Sequence, residues 1–160
     1  STALYSTMTY LLAIGDRHME NILLQPDGHL FHIDFGWLFN RDPKLKEPIM
    51  KISKEMVDVM GGVDTHWFSQ FISYLVTAYL ALRRESNLLV SLLLLLENSG
   101  IAVVKEDAPK NFQWMQSRLC LGADDDEASL HIIRIVNEQL SAVFPKIIDA
   151  LHRWIQNQRK

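Results

Sequence analysis

The feature that most constrains this chain is Pro26-Asp27-Gly28, set between two short apolar runs, Ile22-Leu23-Leu24 and Leu30-Phe31-His32-Ile33. Proline presets its own φ and glycine accepts the left-handed region, so the triplet predicts a tight antiparallel hairpin. A hairpin returns the chain to its start, which puts the residues before the first run beside those after the second. Those residues are polar: Gly15-Asp16-Arg17-His18-Met19-Glu20-Asn21 on one side and Asp34-Phe35-Gly36 on the other. Asn21 and Asp34 are therefore expected at the open end together. Both offer hard oxygen ligands of the kind that hold Mg²⁺ or Mn²⁺ along with substrate phosphates. Asp16 and His18, a carboxylate and an imidazole just before that end, form a candidate proton-transfer pair.

Around the hairpin the pattern is helical. Leu4, Met8, Leu11 and Leu12 recur at helical spacing, and Gly15 is expected to stop that helix. Residues 37–62 lose periodicity and hold Pro43, Pro48 and Gly61-Gly62, which reads as a long loop. Asp64 or Thr65 caps a helix carrying Trp67, Phe68, Phe71, Ile72, Leu75, Tyr79 and Leu82. Another helix starts at Ser86 or Asn87. Its Leu88–Leu96 run is too short for a bilayer, which needs about 20 residues, so it reads as a buried helix. Pro109 to Leu121 predicts a shorter helix. Asp124-Asp125-Asp126-Glu127 suits the start of a last one, which carries Ile133, Val136, Leu140, Phe144, Ile147, Leu151 and Ile155 and is kinked at Pro145. The expected class is α+β, mostly helical, with one small hairpin in front.

Composition narrows the function. The 160 residues are 48% hydrophobic, enough for one domain or part of a larger one. A net charge of −3 argues against whole-surface nucleic-acid binding. The single cysteine, Cys120, reads as a small core residue; it permits no internal disulfide and favours a reducing compartment. His29 and His32 lack a zinc-ligand spacing and read as structural, while His66, His131 and His152 read as helix-surface residues. The chain opens without a methionine or a basic leader, as if in mid-helix, and is expected to be a piece of something longer.

Asp16 and Asn21 stand five apart, the offset of the protein-kinase catalytic loop, and Asp34-Phe35-Gly36 supplies a third kinase element in the right order. Protein kinases write that loop His-Arg-Asp; this chain writes Asp-Arg-His. Gly15-Asp16-Arg17-His18-x-x-Asn21, followed by His32-Ile33-Asp34-Phe35-Gly36, resembles the phosphatidylinositol 3-/4-kinase and related-kinase superfamily. Within it, Asn40-Arg41-Asp42-Pro43-Lys44, Met50-Lys51-Ile52-Ser53-Lys54-Glu55-Met56 and Met60-Gly61-Gly62 look like the activation segment of the class III phosphatidylinositol 3-kinases. Leu82-Arg83-Arg84-Glu85-Ser86-Asn87-Leu88 and the tail from Phe144 to Lys160 are also similar to that class. Leu45-Lys46-Glu47-Pro48-Ile49 departs from it in being less proline-rich.

The resemblance implies the C-terminal lobe of a two-lobed kinase over residues 1–160, with the N-terminal lobe and its ATP-holding lysine absent from these residues. The catalytic loop would run over about 14–22, the activation segment over about 34–56, and a membrane-facing C-terminal helix over about 128–158. It implies phosphoryl transfer from ATP, with Mg²⁺ or Mn²⁺, to the 3-hydroxyl of phosphatidylinositol. Asn21 and Asp34 would bind the metal ions. Asp16 and His18 would handle the inositol proton, with the choice of base open. Leu23, Phe31 and Ile33 would floor the adenine, and Arg17 would tie the loop to its neighbours. Arg41, Lys44, Lys46 and Lys51, with Lys54, would meet the substrate. Against Asp42, Glu47 and Glu55 they leave Trp37–Met56 at only +2, a poor match for a headgroup that gains about −1.5 to −2 per added phosphate. Unmodified phosphatidylinositol is thus the expected substrate. Arg153, Trp154, Arg159 and Lys160 give the tail a basic, Trp-bearing end suited to a membrane interface. The implied partners are a pseudokinase-scaffold subunit and a coiled-coil autophagy subunit, at the cytoplasmic face of endosomal and autophagosomal membranes. Two alternatives stand beside this: another kinase of the superfamily, or a truncated lobe that only binds membranes or partners.

Overall fold

The computed structural model describes residues 1–39, 49–96 and 108–141. Helix α1 (Thr2–Leu12) leads into a single 3₁₀ turn (Met19–Asn21) and the hairpin of β1 (Ile22–Leu24) and β2 (Leu30–His32). Helices α2 (Lys54–Val59), α3 (His66–Arg84), α4 (Ser86–Leu96), α5 (Ala108–Leu119) and α6 (Asp125–Ser141) follow. The expected α+β class holds: helices around one two-stranded antiparallel sheet.

The hairpin forms where the turn chemistry requires it. Gly28 N–H donates to Gln25 O at 2.9 Å, Gln25 N–H donates to His29 O at 2.8 Å, and Gly28 takes φ +88°. Asp27 Oδ1 accepts from His29 N–H at 3.0 Å, closing the turn from its own side chain. The register pairs Ile22 with His32, Leu23 with Phe31 and Leu24 with Leu30. One face therefore carries Leu23, Phe31 and Ile33, and the other Ile22, Leu24, Leu30 and His32. The second face turns to the helices. His32 is buried and stacks on Tyr5 of α1, ring centres 4.7 Å apart. Ile22, Leu24 and Leu30 line an apolar groove of ≈ 210 Å³ against Met56 and Val59 of α2.

The core lies where α3 crosses α1 and α6. Thr65 caps α3 by accepting from Phe68 N–H at 3.2 Å. Phe68, Phe71, Ile72, Leu75 and Tyr79 then form one buried stripe facing Ile132, Ile133, Val136 and Leu140 of α6. Trp67 lies off the stripe and is exposed. At the start of α6, Glu127 N–H donates to Asp124 Oδ1 at 2.8 Å and Asp124 N–H to Glu127 Oε2 at 3.4 Å, a reciprocal cap built from the acidic run.

Several expectations are corrected. The first helix ends at Ala13, which takes the left-handed conformation (φ 45°, ψ 53°) two residues before Gly15. Of the expected stripe, Leu11 is buried and Leu12 packs on the core, but Leu4 is exposed, and the rest of the buried face is Ala3, Ser6, Thr7, Thr9 and Tyr10. Small side chains let α1 approach α3 closely. Thr7 donates to Ala3 O and Thr9 to Ser6 O at 2.9 Å each within the helix, and the Thr7 hydroxyl also lies 3.5 Å from Leu75 O of α3. Residues 53–59, expected as loop, hold α2, capped by Ser53. No residue of α4 is buried: Leu89, Val90 and Leu93 touch the core while Leu88, Leu92 and Leu95 face outward. Cys120 sits half-buried at φ 49° in the turn after α5 rather than in the core. His131 is half-buried and lies 2.9 Å from the Tyr10 hydroxyl. Phe144, Pro145 and the rest of the expected last helix lie outside the described residues.

Leu75→Ala removes a fully buried side chain and is expected to cost about 2–5 kcal/mol. Leu88→Ala, on the open face of α4, is expected to change stability by less than about 0.5 kcal/mol. Denaturant midpoints of the two variants, taken with unchanged slopes, check both values.

Candidate active site

The site begins at the end of α1. Ala13 turns the chain out of the helix, and Ile14 N–H still reaches back to Thr9 O at 3.1 Å. Gly15 N–H then donates to Trp37 O at 2.9 Å, and Phe39 N–H donates to Leu12 O at 2.8 Å. The stretch before the hairpin is thereby laced to the stretch after it. At the open end Ile33 N–H donates to Asn21 O at 3.0 Å, so Asn21 lies beside the residue that precedes Asp34.

Arg17 carries the tie. It is buried, and its guanidinium donates to Gly15 O at 2.8 Å, to Ile33 O at 2.7 Å and to Asp34 O. Its Cζ lies 5.6 Å from the centre of the Phe35 ring. Burial pushes its pKa down, and the charges of Asp34 and Asp16 oppose that shift. A guanidinium offers five donors in a planar fork, which is why one side chain can bridge three carbonyls on two segments. The expected partners of Arg17 were carboxylates or carbonyls; the hydrogen bonds go to carbonyls.

Around this tie the candidate residues gather. Asn21 is 7% exposed; its Nδ2 donates to Asp16 O at 2.9 Å and lies 3.3 Å from His18 Nε2. His18 Nε2 lies 3.6 Å from Asp16 Oδ2, and Nδ1 lies 4.0 Å from Glu20 Oε2. Asp34 stands exposed at φ 58°, its Oδ1 accepting from Gly36 N–H at 3.1 Å. Asp16 also takes a left-handed φ of 52°. Such backbone is costly for a residue with a Cβ and persists where neighbours over-determine it. Here Asp34 O is held by Arg17 and Asp16 O by Asn21 Nδ2. Leu23, Phe31 and Ile33 share one face, on the side of the hairpin away from the apolar groove, and Leu23 and Ile33 are exposed there.

The donor set fits a divalent cation shared with phosphate. Asn21 and Asp34 offer two hard oxygens, and among the described residues no group of three His, Cys, Asp or Glu side chains gathers into a cage. Two protein oxygens leave the remaining positions to phosphate and water, which is how Mg²⁺ is usually held. Lys51 lies in the described part of the loop, half-buried. Arg41, Lys44 and Lys46, and the tail residues Arg153, Trp154, Arg159 and Lys160, fall outside the described residues. Among the described residues no helix is long and apolar enough to cross a membrane.

A family model described as phosphatidylinositol 3- and 4-kinase matches residues 1–105. The chain belongs to the phosphatidylinositol 3- and 4-kinase family. It is 45% identical over 160 residues to "Phosphatidylinositol 3-kinase, nodule isoform" of Glycine max, covering 99% of this chain and 20% of that protein. It is 44% identical over 160 residues to "Phosphatidylinositol 3-kinase VPS34" of Arabidopsis thaliana, covering 99% and 20%. It is 41% identical over 157 residues to "Phosphatidylinositol 3-kinase catalytic subunit type 3" of Caenorhabditis elegans, covering 98% and 17%. The chain spans about a fifth of the length of these curated relatives. The structure joins the Asp16-Arg17-His18 loop and the Asp34-Phe35-Gly36 segment through Arg17. Sequence reasoning missed the hubs Arg83 and Arg118. Arg83 donates to Leu119 O at 3.1 Å, Cys120 O at 3.3 Å and Ala123 O, and pairs with Asp125 at 2.5 Å. The only sequence signal for it was its place in the Leu82–Leu88 stretch.

Arg17→Met strips three carbonyls of a charged donor and is expected to cost about 3 kcal/mol or more, measured by denaturant unfolding of the full-length protein. His32 gives a pH signature. Burial, then the charge of Arg17, pushes its pKa down to about 4, whereas an unfolded imidazole titrates near 6.5. Below that the unfolded state takes up a proton that the folded state refuses. Stability is therefore expected to be full above about pH 6.5 and to fall as pH drops towards about 4. His32→Phe keeps the stack on Tyr5, and unfolding midpoints measured across pH 4–7 should show a shallower slope for it.

Proposed function

We propose that the polypeptide carrying this chain transfers a phosphoryl group from ATP to the 3-hydroxyl of phosphatidylinositol. The observation that carries the reading is the hairpin's open end, where one buried arginine holds the Asp16–Asn21 loop against Asp34. The relatives named as phosphatidylinositol 3-kinases, 41–45% identical over nearly the whole chain, support it.

Each residue then has a task. Asn21 and Asp34 would hold the divalent cations that neutralise charge on the phosphates of ATP. The apolar face of Leu23, Phe31 and Ile33 would lie under the adenine ring. His18 presents Nε2 within 3.6 Å of the Asp16 carboxylate, so a proton taken from the inositol hydroxyl by the imidazole is stabilised by a neighbouring anion. Arg17 keeps the two oxygen donors in register. Arg41, Lys44, Lys46 and Lys51 would face the headgroup. Their segment's net of +2 suits a single phosphodiester better than a multiply phosphorylated ring. Arg153, Trp154, Arg159 and Lys160 would add membrane attraction of about 1 kcal/mol per basic residue, enough to assist binding and too little to anchor. We place the reaction on the cytoplasmic face of endosomal and autophagosomal membranes, with a pseudokinase-scaffold subunit and a coiled-coil subunit as partners. The likeness to the class III kinases supports that setting.

The test uses the full-length enzyme on vesicles. Asp34→Ala is expected to lower turnover by on the order of 10³-fold. Phosphatidylinositol is expected to outpace its 4,5-bisphosphate by at least about tenfold, or 1.4 kcal/mol in the barrier. Full activity of Asp34→Ala would remove the metal assignment, and equal turnover of both lipids would remove the substrate assignment.

A further inference from the structure

Arg118, about a hundred residues downstream of the catalytic loop, sits where that loop leaves the helical body. It lies in the last turn of α5. Its guanidinium is packed between two rings, Cζ 4.3 Å from the centre of Trp114 and 4.7 Å from that of Tyr10. Its Nη1 donates to Tyr10 O and, at 3.5 Å, to Ile49 O. Tyr10 O belongs to the last turn of α1 and also accepts from Ala13 N–H at 3.4 Å, where the helix becomes loop. Ile49 directly precedes Met50 and Ile52, which are both buried in the core. No ion pair to Arg118 occurs among the described residues. Its charge rests instead on two aromatic faces and on the negative end of the α1 dipole. The end of α5 is itself fastened from α3 and α1. Arg118 O accepts from the Tyr79 hydroxyl at 2.8 Å and from the Tyr10 hydroxyl at 3.4 Å, and Tyr10 in turn meets His131 Nε2 at 2.9 Å.

A residue used only for packing would not need a charge here. Burying one between rings costs desolvation, and burial pushes the Arg118 pKa down to about 10. What the charge adds is a donor that reaches two carbonyls at once, Tyr10 O where α1 gives way to loop 14–21 and Ile49 O just ahead of the buried Met50 and Ile52. We propose that Arg118 is a positioning residue: it fixes where loop 14–21 leaves α1 relative to segment 49–52. Lysine at 118 would keep the charge and lose both the planar fork and the flat stack.

The kinetic part of the test rests on the phosphoryl-transfer reading; the exchange part does not. In the full-length protein, Arg118→Met is expected to speed amide exchange over residues 14–21 by about tenfold or more, with α3 unchanged. Its kcat for lipid phosphorylation is expected to fall at least about tenfold while the KM for ATP stays within about twofold. Arg118→Lys is expected to recover only part of the loop protection. Tyr79→Phe loosens the same turn without touching the guanidinium and is expected to leave loop exchange and kcat within about twofold of wild type. Equal acceleration across α1, α3 and α6 would overturn the proposal by reducing Arg118 to packing. Unchanged exchange over 14–21, or complete recovery with lysine, would overturn it too. The exchange result decides the matter even for a protein that phosphorylates no lipid.

Discussion

The fork of Arg17 is the contact on which the site depends. Three backbone bonds already lace loop 14–21 to the exit of β2, Gly15 N–H to Trp37 O, Ile33 N–H to Asn21 O and Phe39 N–H to Leu12 O, and Arg17 adds the one side chain that grips both stretches at once. The guanidinium donates to Gly15 on one side and to Ile33 and Asp34 on the other. It does so while buried, where a hydrogen bond is electrostatically stronger than in water and an unmade one is more costly. That penalty makes the arrangement close to all-or-none. Asp34 and Asp16 hold left-handed backbone (φ 58° and 52°) without glycine's freedom, with the Asp34 carbonyl on this guanidinium and the Asp16 carbonyl on Asn21 Nδ2.

Behind the site, the helical body repeats the device. Arg83 and Arg118 each bind backbone carbonyls at turns, and each draws several helices together. Arg83 joins the end of α3 to the turn that leads into α6. Arg118 joins α5 to the end of α1. A half-buried cation set on carbonyls is directional in a way that leucine packing is not. The core of Phe71, Ile72, Leu75, Ile132 and Val136 supplies the bulk of burial, and the arginines fix how the helix ends meet.

How much of this could be read in the sequence depends on the range of each interaction. The hairpin was legible because its turn is chemically self-contained: Pro26, Asp27 and Gly28 fix it within three residues. The grouping of Asp16, His18, Asn21 and Asp34 was legible for the same reason, since hairpin closure brings them together. The α3 stripe and the Thr65 cap were legible from period and cap chemistry, apart from Trp67. The buried face of α1 was legible only at Leu11 and Leu12, because hydrophobicity ranks Leu4 above Ser6 and Thr7, while close approach to α3 selects small residues. The outward face of α4 was not legible: a leucine run shows what a helix prefers to bury, and only its neighbours decide whether it does. The arginine hubs were hardest. Their partners are carbonyls, which every residue has and which leave no mark in a sequence.

The hairpin's two faces show why its register matters more than its stability. Three paired residues per strand are too few to be stable alone. The strands are held by the face that meets the helices, through His32 on Tyr5 and through Leu30, whose N–H donates to the Ser1 hydroxyl at 3.0 Å. The opposite face, with Leu23, Phe31 and Ile33, is left open. Because side chains alternate, anchoring one face determines the other. A one-residue slip would turn His32 outward, carry Phe31 into the packing face, and move Asp34 out of step with Asn21. The Pro-Asp-Gly turn at one end and the Arg17 bonds at the other prevent that slip from both directions. The small sheet therefore transmits the packing of α1 into the placement of the oxygen donors at its open end.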